Sequence, residues 1–285
     1  MILVALMLMQ AGYSPETEAV MDRARQEARA ARSTESQDKH QVEGLSVFLP
    51  KETAAQLQAC IDIAADEPEA GMKQAQDWII KGGGFSARQC LGFALTGLGR
   101  WSEAVDAFNN GALDAQKAGA TADAVRLWAQ AGNAALAGDN PERARSFFDS
   151  ALSFGLPDSL AKGEVYLDRA RACVAMDDIV AARKDLDQAL KLAGRDPLAW
   201  LLSATLARRM DDLGRAQFDI AEARRRSPDD ASVALEAGNI AILTNDEKTA
   251  RQEWARVLSL APGSEQSIAA RAMLAQLDGG ADQSR

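Results

Sequence analysis

Apolar residues recur along the second half of the chain at intervals of three and four. In the stretch 181–192, Ala182, Leu186, Ala189 and Leu190 fall in one stripe when wound at 3.6 residues per turn, the pattern of an amphipathic α-helix. The strict alternation of apolar and polar residues that marks a half-buried strand is absent. Short polar turns, Met176-Asp177-Asp178, Met210-Asp211-Asp212 and Leu243-Thr244-Asn245-Asp246, separate successive stripes. Their Asp and Asn residues suit the N-cap of the helix that follows, which gives them a structural rather than a catalytic or metal-binding job. The pattern predicts an all-α chain of short paired helices.

The stripes repeat in register. Segments opening at Gly163, Pro197 and Ala231 are spaced by 34 residues, and a terminal copy opens 34 residues later at Glu265. Place eight holds Ala170, Ala204, Gly238 and Ala272; place twenty holds Ala182, Ala216 and Ala250; place twenty-seven holds Ala189, Ala223 and Val257. Bulky residues, Leu186, Ile220 and Trp254, stand at place twenty-four, while place four holds Tyr166, Trp200, Ala234 and Ile268. Pro228 and Pro262 fall at place thirty-two, where proline ends one helix and prepares the next turn. A single hairpin cannot bury such a stripe, but stacked neighbours can, with small residues letting the axes approach.

This constellation resembles the tetratricopeptide repeat. Two earlier units share it: one from Val125, with Trp128, Gly132, Ala144, Phe148 and Ala151 in the matching places, and one from Phe85, with Leu91, Gly92, Gly99, Ala104 and Phe108. Their spacings, 40 and 38 residues, predict helices longer by about a turn. The resemblance implies a helix-turn-helix repeat solenoid, a right-handed superhelix of hairpins whose first helices line a concave groove. It also implies that Arg126, Gln130, Asn133, Arg171, Arg208, Arg209 and Asn239 face that groove and contact a peptide or protein partner. Asn133 and Arg209 resemble parts of the carboxylate clamp of chaperone adaptors, whereas Ala129 and Asp168 depart from it. The plainer alternative makes these residues solvated side chains. Either way they are expected to be partly exposed, so that replacing Arg171 or Arg208 by Ala costs the fold little.

The remainder divides around this array. Residues 1–12 open with nine apolar residues followed by Gln10-Ala11-Gly12, which resembles a secretory signal without its basic start; a misassigned start or a docked first helix are the alternatives. Residues 13–50 read as a charged N-terminal helix and linker, 51–84 as a degenerate helical hairpin broken at Asp66-Glu67-Pro68, 85–278 as the solenoid with a C-terminal capping helix, and 279–285 as a flexible tail. The apolar start is about half the length of a membrane span. Gly82-Gly83-Gly84 has neither a preceding strand nor a following Lys, so it reads as a loop rather than a phosphate cradle.

Composition narrows the function. With a formal net charge of −9, the chain is poorly suited to nucleic acid, whose phosphates reward clustered Lys and Arg. The single His40 lies in the linker, leaving Ser or Cys nucleophiles without a base; the Asp and Glu residues are assigned to caps and solvated helix faces. Three cysteines without CxxC spacing predict no metal site, and no cofactor is expected. If the chain is exported, Cys60 and Cys90, on the first helices of successive hairpins, can pair while Cys173 stays buried; otherwise all three are buried thiols. The reading is a non-enzymatic, bacterial and periplasmic protein-interaction scaffold; the alternatives are a cytoplasmic adaptor or assembly factor, or a non-catalytic subunit of a hydrolase or transferase.

Overall fold

The computed structural model describes residues 49–155 and 159–282. The signal-like start, the charged N-terminal helix and the linker with His40 lie outside the described residues. Every regular element among those described is an α-helix. Residues up to Ala193 belong to one compact unit and those from Gly194 onward to a second. The first contains α1 (Lys51–Asp66), α2 (Pro68–Ile80), α3 (Gly84–Gly97), α4 (Trp101–Lys117), α5 (Thr121–Ala137), α6 (Pro141–Ser153), α7 (Ser159–Ala175) and α8 (Ile179–Leu192). The second contains α9 (Pro197–Arg209), α10 (Leu213–Arg226), α11 (Ala231–Leu243), α12 (Glu247–Leu260) and α13 (Glu265–Asp282).

Local chemistry sets the boundaries. Prolines 68, 141 and 197 open α2, α6 and α9, where their missing N–H costs nothing and their fixed φ favours the first turn. At the fifteenth place of each 34-residue unit the backbone is left-handed: Gly99, Asp139, Asp177, Asp211 and Asn245 have φ between 55° and 68°. Gly, Asn and Asp are the residues that tolerate this conformation. The next residue caps the second helix: the carboxylates of Asp178, Asp212 and Asp246 accept from the backbone N–H groups of Ala181, Arg215 and Thr249 at 3.0–3.1 Å. The turn thus divides two jobs between neighbours, one residue bending the chain and the other capping.

Packing follows the register. Each helix packs on the one before it within its unit, and α1 also meets α3, α5 meets α7, α9 meets α11 and α11 meets α13. Gly92, Gly132 and Gly238 lie against the rings of Phe108, Phe148 and Trp254, so close that an added Cβ would stand 2.4–2.5 Å from ring atoms. Where place eight is Ala, in Ala170 and Ala204, the partner place holds the smaller Leu186 or Ile220. The sum of the two volumes stays matched, as dense interior packing requires. The wider spacings upstream have a simple origin, because α4, α5 and α7 each run 17 residues against 13 or 14 in α8 to α12. At the other end, α13 continues through Gly279 and Gly280 to Asp282, beyond the point where the sequence predicts a tail.

Candidate functional site

The side chains on the first helices form a polar ladder in each unit. In the first, Gln89 on α3 donates through Nε2 to Oε1 of Gln130 on α5 at 3.3 Å. Arg126 pairs with the buried Asp123 one turn earlier on α5. Asn133 donates to Asp168 on α7 at 2.9 Å, and Arg171 reaches the other oxygen of the same carboxylate at 3.0 Å. In the second unit, Arg208 on α9 spans both oxygens of Glu236 on α11 at 2.6 and 3.2 Å. Asn239 donates to Glu236 at 3.3 Å and accepts from the indole N–H of Trp254 at 3.2 Å. Arg209 is exposed as the last residue of α9.

These contacts share one arrangement. The acid at place six, Asp168 or Glu236, holds the residue at place nine of its own helix, Arg171 or Asn239, and a residue of the preceding first helix, Asn133 or Arg208. Sequence reasoning named the cations and amides but missed the acids. The signal was present: in both repeats an acid precedes an Arg or Asn by three residues, neighbours on one helix face.

The acids bear on one expectation. Arg171 and Arg208 are partly exposed, as the sequence predicts, but each is held by a carboxylate. The Arg171 side chain is 12% exposed, and Arg208 serves a Glu236 side chain that is 8% exposed. Removing Arg208 strips a buried carboxylate of its principal partner, which is expensive in a low-dielectric setting.

A second set of acids departs from the expected caps and solvated faces. Asp185, Asp219 and Glu253, all at place twenty-three, are 5%, 2% and 4% exposed. Asp185 accepts both prongs of the Arg169 guanidinium at 2.7 and 2.8 Å, which drives the Arg169 pKa still higher and fixes its charge. Asp219 accepts from the Ser203 hydroxyl and from Arg215, and Glu253 pairs with Arg224 at 2.7 Å. These carboxylates stitch helices together from within, and their burial is offset by charge-assisted contacts, fork-shaped at Asp185 and single at Asp219 and Glu253.

The cysteines separate into two kinds. Cys60 of α1 and Cys90 of α3, both fully buried, are joined as a disulfide with their Cα atoms 6.0 Å apart. Cys173 is a buried free thiol, and desolvation pushes its pKa up, so it stays protonated and inert. Among the described residues no group of three or more His, Cys, Asp or Glu could hold a metal ion, and no helix is long and apolar enough to cross a membrane.

No protein-family model matches the chain, and no curated protein is similar to it in sequence. Solved structures are similar. PilW, described as a widely conserved type IV pilus biogenesis factor, superposes with a TM-score of 0.65 at 15% identity, over 79% of this chain and all of PilW. PilF of Pseudomonas aeruginosa gives 0.61 at 16% identity over 78% of this chain and all of PilF. MamA of Desulfovibrio magneticus RS-1, from residue 41 onward, gives 0.53 at 16% identity over 64% of this chain and 97% of that fragment. Identities this low speak to fold. Together with the 34-residue register, the left-handed turn at place fifteen and the matched volumes at places eight and twenty-four, they show that the chain has the tetratricopeptide-repeat fold.

Proposed function

We propose that the chain is a non-catalytic scaffold that holds a peptide or protein partner along the face of its first helices. The observation that carries this reading is the ladder of amides and guanidinium groups at recurring places in both units, from Gln89 and Gln130 to Asn133, Arg171, Arg208 and Asn239. Side-chain amides offer a donor and an acceptor, the complement of a peptide backbone. Each arginine is pre-oriented by an acid, so little side-chain entropy remains to be lost on binding. The partner meets a charge-balanced surface rather than a bare cationic one, which favours backbone and mixed polar contacts over capture of a lone carboxylate.

The compartment proposed is an oxidising one outside the cytoplasm, the bacterial periplasm. The Cys60–Cys90 pairing supports it, because disulfides persist where thiols are not kept reduced, and so does the apolar start of the sequence. The test is capture of partners on the mature chain, repeated with Asn133→Ala and Gln130→Ala together. The reading expects a defined partner that the double variant loses while its melting curve still shows a cooperative, folded chain at the assay temperature. Equal recovery on both chains would remove the first-helix face from consideration. N-terminal sequencing of the fractionated protein decides the compartment: a start near Gly12 or Tyr13 in the exported fraction supports it, and an intact Met1 in the cytosol contradicts it.

A further inference from the structure

The first hairpin, α1 with α2, is held to its unit by less apolar surface than the helices that follow. In the buried core that it forms with α3, Leu57 and Trp78 are the large side chains, and the other positions are Ala or Cys. The next core along the unit rests on Phe108, Leu127, Trp128 and Phe148. Burial stabilises in proportion to the apolar area removed from water, so the first seam is the weaker one.

Position and linkage weaken it further. Among the described helices α1 and α2 pack on α3 and on each other, at the end of the described array, where a repeat has one neighbour rather than two. The link from α2 to α3 is Gly82-Gly83-Gly84, with φ of 86° at Gly82 and 57° at Gly84. Three glycines regain much conformational freedom when the hairpin comes away. Arg100 donates to the Met72 thioether of α2 at 3.2 Å, a weak acceptor. By contrast, Arg88 ties α3 to α4 through Asp114 at 2.7 Å, and the Arg169 fork ties α7 to α8.

Across this seam runs a covalent tie. The Cys60–Cys90 disulfide joins α1 to α3 from within the same core, and the loop that it closes contains all of α2. Such a cross-link limits how far the hairpin can separate, which disfavours the open state. Both cysteines are fully buried, so an external thiol reaches the bond only after the hairpin has opened. Once made, the docked and bonded state protects itself.

We infer that the first hairpin is a redox-conditional element: it docks on α3 when Cys60 and Cys90 are joined and comes away when both are thiols, while α4 to α8 keep their fold. The bond forms by exchange with an external disulfide. A thiolate of one cysteine attacks it, and the other cysteine then displaces the attached sulfur. Two electrons and two protons pass from the cysteines to the external disulfide, which leaves as its thiols. Gln89, the first rung of the polar ladder, adjoins Cys90 on α3. On the reading of the first-helix face proposed above, the end of that face is therefore set only in the oxidised chain; the docking itself does not rest on that reading.

Hydrogen exchange read by mass spectrometry on the full chain tests this without any partner. The oxidised protein is compared with the same protein reduced in urea and returned to buffer containing dithiothreitol, and with a Cys60→Ala, Cys90→Ala chain. In the reduced chain the amides of α1 and α2 should exchange faster by about thirtyfold or more, the effect expected of losing such a cross-link. The amides of α5 to α8 should change by less than about twofold, as separate opening of one unit requires. The alanine chain should match the reduced one with or without dithiothreitol, and glutathione disulfide should restore protection to the reduced native chain alone. Equal protection of α1 and α2 in the oxidised and reduced proteins would overturn the inference. So would a loss shared equally by α5 to α8, which would show that the bond supports the unit as a whole. Neither result depends on whether the first-helix face binds a partner.

Discussion

Gly132 lies directly against the ring of Phe148: a Cβ on the glycine would stand 2.5 Å from Cε1 of the ring. The same relationship joins Gly92 to Phe108 and Gly238 to Trp254, and it relaxes to Ala with Leu or Ile in the repeats between. Place eight and place twenty-four thus act as one volume shared by two helices. Gly132→Ala should destabilise the chain by about 1–3 kcal/mol, the usual cost of overpacking. Adding Phe148→Leu should recover part of that loss, so a denaturant double-mutant cycle should show coupling of about 0.5–3 kcal/mol. Strict additivity would show that the two residues do not share the space.

The buried fork between Arg169 and Asp185 ties α7 to α8. Asp185→Ala should lower stability by about 1.5–3 kcal/mol, because the guanidinium loses its fork and keeps only Asp149, at 2.7 Å. Replacing both Arg169 and Asp185 by apolar residues of similar size should cost less, since the exposed Asp149 is left in water. Urea unfolding of the single and double variants measures the difference, and equal losses would show that the fork itself, rather than the weakened pairing of a partly buried charge, carries the stability.

The disulfide closes a loop across 30 positions between α1 and α3. Replacing Cys60 and Cys90 together by Ser should lower stability by about 2–4 kcal/mol. In the native oxidised protein Cys173 should be the sole free thiol and should resist alkylation until the chain unfolds. Mass spectrometry after alkylation, with and without denaturant, reads both points; two or more reactive thiols in the native protein would contradict them.

The capping carboxylate of Asp246 has its pKa lowered by the Thr249 hydroxyl and backbone N–H. A group with a lowered folded pKa stabilises the fold above its unfolded pKa, and that contribution is lost as pH falls through the folded value. Acidification below about pH 4 should therefore weaken the start of α12, and Asp246→Asn, which also caps without titrating, should flatten this part of the pH profile. Hydrogen exchange at the amides of α12 measures it. Parallel profiles for native and variant chains would remove Asp246 as the cause.

The helices and their stacking were legible because periodic burial writes itself into the sequence: every repeat must present the same small and large residues to its neighbours. The capping turns were legible for the same reason. The acids that hold the first-helix cations and amides were harder to see. Asp168 and Glu236 look like surface charges when read alone, and only the placement of the preceding first helix, across Asn133 and Arg208, shows them as the centre of a network. Asp185, Asp219 and Glu253 were missed because a polar residue on an amphipathic helix is ordinarily assigned to solvent, whereas here it lies between two helices and carries its own cation or hydroxyl.

The claim that a partner binds the face of the first helices is tested most directly by photocrosslinking in the producing cell. A photoreactive amino acid at Asn133, exposed on the first helix α5, is compared with one at Ser146, exposed on the second helix α6 of the same hairpin. The account predicts a discrete covalent adduct with another protein from position 133 and none from position 146. Adducts of equal yield from both positions, or from position 146 alone, would contradict it.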